Sequence, residues 1–298
     1  MNAIEAIDLR KCYGPREVLR DVRLTMPAGA IFGFLGPNGA GKTTTIRILL
    51  GLLRATAGKA LLFGEDAWRH GARLRRDIGY LPGDVRFYDW FTGRATLDFF
   101  NAARGGRHRE EIRRLQGVFD LELDRKVRRY SRGMKQKLGL IQALMHKPKL
   151  LILDEPTTAL DPLVREALYD ELRNVAKEGR SILFSSHTLT EVEELCDEVA
   201  IVRAGRIIEH EKIAVLKSRA VRHVEILSAP GATLPAIPGG LRVLSRLDGK
   251  LSGAWTGPVQ PLLNWLSQSA VHDVSIAPPD LEDLFMAYYA DNGQGSAA

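Results

Sequence analysis

A continuous apolar run from Ala30 to Leu35 ends in the glycine-rich segment GPNGAGKTT at residues 36–44. A short apolar run closed by glycine reads as a buried strand, and a helix is expected to start in the glycine loop and run to about Leu53. Gly36 to Thr43 fits the spacing G-x-x-x-x-G-K-[ST]. Its glycines let the backbone fold into a concave nest whose N–H groups point at phosphate oxygens, and the following helix adds its positive N-terminal end. Lys42 then reaches the β- and γ-phosphates, and the Thr43 hydroxyl is placed to ligate magnesium. The flanking strand and helix weigh against the plain alternative, a glycine-rich turn with no ligand.

A second block, YSRGMKQKLGLIQALMHKPKLLILDEPTTALDP from Tyr130 to Pro162, narrows the reading further. A Ser-x-Gly-x-x-Gln turn opens a helix, and the apolar strand Leu150 to Leu153 then ends in Asp154-Glu155. Apolar residues on both faces make this a central strand, so Asp154 emerges at its C-terminal end, where open parallel sheets bind ligands. There Asp154 is expected to hold magnesium, mostly through water, and Glu155 to polarise the attacking water as general base. His187 follows the strand Ser181 to Ser186 and is expected at the edge of the same sheet, within reach of the γ-phosphate.

The remaining pattern supports a layered arrangement. Short strands are expected at 3–9, 18–26, 58–63 and 78–81, and a charged helical insertion from about 92 to 146. Strands and helices then alternate: 149–153, 162–177, 181–185, 189–196 and a hairpin at 198–209 around Ala204-Gly205. Such alternation implies a mostly parallel sheet. After about Lys217 the composition changes. A first domain of 1–218 and a small α+β domain of 219–290 are expected. The second would hold a strand at 223–227, Pro- and Gly-rich sequence at 229–240, and a hairpin over 241–255 turning at Asp248-Gly249. A helix at 259–269, a strand at 271–277 and a helix over 280–289, capped by Pro278-Pro279-Asp280, would complete it. The tail at 291–298 is expected to be disordered.

Composition excludes several classes. The 298 residues are 45% hydrophobic and 26% charged, ordinary for a soluble globular protein. No basic-then-apolar leader opens the sequence, and no apolar run approaches the roughly 20 residues that span a bilayer. Cys12 and Cys196 have no metal-ligand partner at short spacing and read as structural thiols. The net charge of +6 gathers in arginines around 69–76 and 104–132. Acidic residues interleave and no stacking aromatics alternate with the basics, so these read as a solvated helical face near anionic headgroups, and no nucleic acid is expected.

Taken jointly, GPNGAGKTT (36–44), SRGMKQ (131–136), LLILDEP (150–156), ALD (159–161) and SSH (185–187) resemble the nucleotide-binding subunit of an ATP-binding cassette (ABC) transporter, over roughly Met1 to Leu216. The resemblance implies an α/β P-loop NTPase core with an antiparallel β subdomain and an inserted helical subdomain, using ATP and magnesium. It implies that Gly36, Pro37, Asn38, Gly39, Ala40, Gly41, Lys42, Thr43 and Thr44 cradle the phosphates and that Tyr13 stacks on adenine. Asp154 would serve the metal, and Glu155 and His187 the hydrolysis. Ser131 and Gly133 would contact the γ-phosphate of ATP held by a second subunit, and Asp161 would link the two sites.

Partners follow from the same likeness: a homodimer, or a pseudo-dimer with a paralogue, seated on a separately encoded permease at the cytoplasmic face of the membrane. Two residues depart from the pattern. Arg132 stands where a second glycine is frequent, and Gly83 where the family usually has a magnesium-ligating Gln; the neighbouring Asp84 is the candidate substitute. Gly83, the SRGMKQ form and Leu281 to Phe285 resemble subunits that export drugs and antibiotics. The alternative is a non-transport cassette ATPase acting on ribosomes or DNA. The single cassette and the lack of long coiled coils or zinc cysteines weigh against it.

Overall fold

The computed structural model describes residues 1–219, 221–228, 235–247 and 249–281. The chain forms two compact units, Met1–His210 and Glu211–Ala298.

In the first unit, β1 (Asn2–Tyr13) pairs antiparallel with β2 (Arg16–Pro27). The strands are longer than expected because their pairing continues to Tyr13 and Arg16 at the Gly14 turn, where φ is +58°. β3 (Ile31–Leu35) is buried throughout and leads through the glycine loop into α1 (Lys42–Leu49). β4 (Ala57–Leu62) adds to β1, β5 (Glu65–Asp66) adds to β4, and the short α2 (Gly71–Leu74) precedes β6 (Ile78–Leu81). The charged insertion folds as α3 (Gly93–Ala103), α4 (Arg109–Phe119) and α5 (Arg132–Leu144). Next come β7 (Leu150–Asp154), α6 (Pro162–Lys177), β8 (Ser181–Ser186), α7 (Leu189–Leu195), β9 (Glu198–Arg203) and β10 (Arg206–Lys212).

These strands make two sheets. A four-stranded antiparallel sheet runs β2-β1-β4-β5, and a six-stranded sheet runs β10-β9-β3-β8-β7-β6, parallel from β9 to β6. This is the expected α/β architecture. One apolar cluster fills the space between the sheets and α1, with Leu9, Leu24, Phe32, Ile46, Ile152 and Leu183 fully buried. The strand order corrects one expectation. β8, which carries His187 at its end, is not an edge strand but lies between β3 and β7. The apolar stretch Ile182-Leu183-Phe184, buried on both faces, belongs in a sheet interior.

The arginines of the insertion lie at the surface, as expected, and two of them also tie elements together. Arg114 bonds Glu171 at 2.9 and 2.5 Å and Glu111 at 2.7 Å, tying α4 to α6. Arg104 donates to the carbonyl oxygens of Arg76 and Ile78. The insertion is thus fastened by its cations. Among the described residues no helix is long and apolar enough to cross a membrane.

In the second unit, α8 (Ile213–Arg219) precedes β11 (Val221–Ser228), β12 (Leu241–Leu247), β13 (Lys250–Trp255), α9 (Val259–Ser267) and β14 (Val271–Asp280). The sheet order is β12-β13-β11-β14, antiparallel throughout. α9 buries Leu262, Trp265 and Leu266 against Val224, Ile226 and Trp255. Pro278-Pro279-Asp280 close β14, with Pro279 paired to Arg222 and Asp280 to Val221, and Leu281 directly after them is helical. β14 is an edge strand, where residues without an N–H are tolerated. The expected final helix from residue 282 onward, the 291–298 tail and Asp248 of the hairpin turn lie outside the described residues.

Candidate nucleotide site

The glycine loop is shaped by backbone constraints. Gly41 sits at φ +108°, where a Cβ would also come within 2.7 Å of Leu19, so only glycine turns the chain into α1 here. Lys42, the first helical residue, is 5% exposed. A buried ammonium must be paired. Its Nζ donates to the carbonyl oxygens of Gly36 (2.5 Å) and Pro37 (3.3 Å) and lies 3.3 Å from Glu155 Oε1.

Asp154, at the end of β7, is 2% exposed. It is held from two sides: the Thr43 hydroxyl donates to Oδ2 at 2.8 Å and the Ser185 hydroxyl to Oδ1 at 2.8 Å. Ser185 escaped sequence reading because only the placement of β8 beside β7 brings it to Asp154; the register pairs the two residues directly. Tyr80, on β6, is pushed up to about 12 by burial and by the Asp154 charge, so it stays a neutral phenol beside the carboxylate.

Glu155 has the next place, with its backbone in the left-handed region at φ +52°. That conformation is uncommon for a non-glycine residue. It directs the carboxylate between Lys42 and His187: Oε1 lies 3.3 Å from Lys42 Nζ and Oε2 lies 3.1 Å from His187 Nδ1.

An open cavity of about 330 Å³ is lined by Tyr13, Arg16, Val18, Pro37, Asn38, Gly39, Gly41, Lys42, Thr43, Thr44 and Glu155. It brings Tyr13, from the end of β1, together with the glycine loop. Tyr13 is 49% exposed, with Lys11 Nζ 5.1 Å from its ring centroid. Arg16 and Val18, at the start of β2, are lining residues that the motif search missed, because neither belongs to a phosphate-binding pattern. Gly36 and Ala40 are buried beneath the loop and do not line the cavity.

The signature residues lie elsewhere. Ser131 caps α5, its Oγ accepting from Met134 N at 3.2 Å, and neither it nor Gly133 lines the phosphate cavity. A Cβ on Gly133 would fall 2.5 Å from the Ala159 carbonyl oxygen, so α5 presses on the 155–161 loop at a point where only glycine fits. Asp161 caps α6, accepting from Val164 N at 3.0 Å. Arg132 lines a separate cavity of about 490 Å³ with Gly83, Asp84, Arg86, Lys135 and Gln136. Asp84 does not stand in for a side chain at position 83. Its carboxylate is turned outward and bonded by Arg86 at 2.7 and 2.8 Å. The Cβ that Gly83 lacks would instead lie 3.6 Å from Asp154 Oδ2.

A phosphate loop on a parallel sheet, with an aspartate, a glutamate and a histidine at the carboxyl ends of the neighbouring strands, defines a P-loop ATPase. Residues 19–158 match the protein family described as ABC transporter. An ABC transporter ATP-binding protein from the cyanobacterium Synechocystis, itself uncharacterised, is 32% identical over 98% of this chain and 86% of its own length. The bacitracin transport ATP-binding protein of Bacillus licheniformis is 39% identical over 74% of each chain. A solved ATP-binding subunit of an ABC transporter superposes with a TM-score of 0.67 at 31% identity, covering 72% of this chain and 92% of that one. The chain belongs to the family of ABC transporter ATP-binding proteins, and it is an ATPase of that class.

Proposed function

We propose that this ATPase powers the export of drugs or antibiotics through a separately encoded permease, working as a head-to-tail pair of ATP-binding subunits. The observation that carries the paired arrangement is the separation of the two halves of the motif set. Lys42, Thr43 and Glu155 line one phosphate cavity, with Asp154 bonded to Thr43 and His187 to Glu155, while Ser131 and Gly133 open a helix outside it. A helix N-terminus with a hydroxyl and close backbone access suits a phosphate held by another copy. The bacitracin transporter relative supports the export reading, as do Gly83 and the SRGMKQ sequence.

The Thr43 hydroxyl and the Asp154 carboxylate form an all-oxygen, hard donor set that fits magnesium, held partly through water. When bound, that ion neutralises charge on the β- and γ-phosphate oxygens. Lys42 binds the same phosphates, exchanging its contact with Glu155 for them. Glu155 then accepts a proton from the attacking water, and His187 orients Glu155 through Oε2 and faces the γ-phosphate. Tyr13 receives the adenine ring. Closure of the pair moves the permease, and hydrolysis resets it. A run of aromatic rings just before and on the insertion, with Tyr88, Trp90 and Phe99 at least half exposed, is the face offered to a permease at the cytoplasmic side of the membrane.

Gel filtration of Glu155→Gln in magnesium-ATP tests this reading. A stable ATP-bound dimer is the expected result, and a monomer at all ATP concentrations counts against the scheme. Lys42→Ala is expected to lose ATP binding; retained affinity contradicts the assignment of the phosphate site.

A further inference from the structure

We propose that Gln136 is a positioning residue for Glu155, so that the helix presenting Ser131 to one nucleotide also sets the base for the other. The inference rests on the reading of Glu155 as general base given above. Gln136 is 4% exposed, on the first turns of α5. Its Nε2 donates to the carbonyl oxygens of Glu155 (3.3 Å) and Pro156 (3.0 Å). Both partners are pure acceptors, so the amide orientation is fixed: the nitrogen, with its two hydrogens, must face the loop.

The loop at that point needs holding. Glu155 sits at φ +52° and Ala159 at φ +65°, both uncommon for residues with a Cβ. The only intraloop bond to the Glu155 carbonyl given by the backbone is a long one, from Thr158 N at 3.3 Å. Gln136 supplies the remaining donors from a different element. A few residues nearer the N-terminus of the same helix, Gly133 abuts the Ala159 carbonyl. α5 therefore grips the 155–159 loop at both ends of its strained stretch. A shift of α5 when Ser131 engages a phosphate moves Gln136, and with it the backbone from which the Glu155 carboxylate projects between Lys42 and His187.

The test compares Gln136→Met, which keeps the side-chain length and removes both donors, in the native and Glu155→Gln backgrounds. In the native background kcat is expected to fall on the order of ten- to a hundredfold, with ATP affinity and KM unchanged. In the Glu155→Gln background, followed by single-turnover hydrolysis over hours, the same substitution is expected to change the residual rate by less than about twofold, because the group being positioned is gone. An equal loss in both backgrounds, or a loss of ATP affinity, means that Gln136 only supports the fold and overturns the proposal. If Gln136→Met does not fold, Gln136→Asn, which keeps the donors one methylene short, carries the same comparison. Full activity of a folded Gln136→Met beside a slow Glu155→Gln overturns this inference alone; a Glu155→Gln as fast as wild type overturns the reading of the base, and this inference with it.

Discussion

Asp154 owes its fixed orientation to two hydroxyls, one from the phosphate loop and one from the neighbouring strand β8. Removing one of them leaves a buried carboxylate oxygen unpaired, which costs about 1.5–3 kcal/mol for a bond to a charged group. Ser185→Ala is therefore expected to lower the unfolding midpoint and to weaken magnesium-dependent ATP binding roughly tenfold, measured by magnesium titration of nucleotide affinity. Gly83 gives the opposite expectation. A Cβ there meets its neighbours at 3.5–3.7 Å, ordinary contact, so Gly83→Gln should fold normally and offer a side chain to the Asp154 side of the site. Tighter magnesium dependence than wild type is the result to look for. The placement of Lys42, Thr43, Asp154 and Glu155 was legible in the sequence because it depends on spacing along a loop and at a strand end. Ser185, Arg16 and the outward turn of Asp84 were not, because each depends on which strands become neighbours or which cation lies within reach.

At the scale of elements, α5 and β6 are packed closely enough that two glycines between them have no room for a Cβ. A Cβ on Gly79 would meet the Ala143 carbonyl oxygen at 2.1 Å, and one on Gly139 would meet Leu81 at 2.5 Å. Gly79→Ala must move backbone and is expected to cost about 3 kcal/mol, read in chemical denaturation. Just past α5, His146 Nε2 bonds the Ile78 carbonyl at 3.1 Å, beside the Arg104 guanidinium that bonds the same oxygen. Burial first, and Arg104 second, push His146 from 6.5 down to about 4, with His108 acting the same way and Asp77 opposing.

The folded value lies below the unfolded one, so the unfolded chain binds more protons between them. The contribution of His146 to stability is thus complete above about pH 6.5 and lost as the pH falls toward 4. Between pH 7 and 5 the loss should reach roughly 2 kcal/mol. Thermal melts at both pH values should show a smaller drop for His146→Gln than for wild type. The boundaries of β6 and α6 could be read from the sequence because apolar runs and caps mark them. The interlock of Gly79 with Ala143 could not, since a glycine in a strand signals close approach without naming what approaches.

On the scale of the whole molecule, each unit holds its own apolar cluster and its own pair of tryptophans: Trp68 and Trp90 exposed in the first, Trp255 and Trp265 buried in the second. The candidate phosphate cavity is lined by residues of the first unit, so ATP bound there at about 100 times its Kd should stabilise that unit by about 2.7 kcal/mol. In a thermal scan the transition reported by burial-sensitive Trp255 and Trp265 emission is expected to stay where it is, while the transition that loses nucleotide moves up. A common shift of both would show one cooperative block. The second unit has a further property. Its first strand, β11, and its last described strand, β14, are hydrogen-bonded neighbours in the same sheet. Val221, which opens β11, is paired with Asp280, which closes β14, so the described sheet begins and finishes at a single seam, like a ribbon whose two ends are held in one clasp.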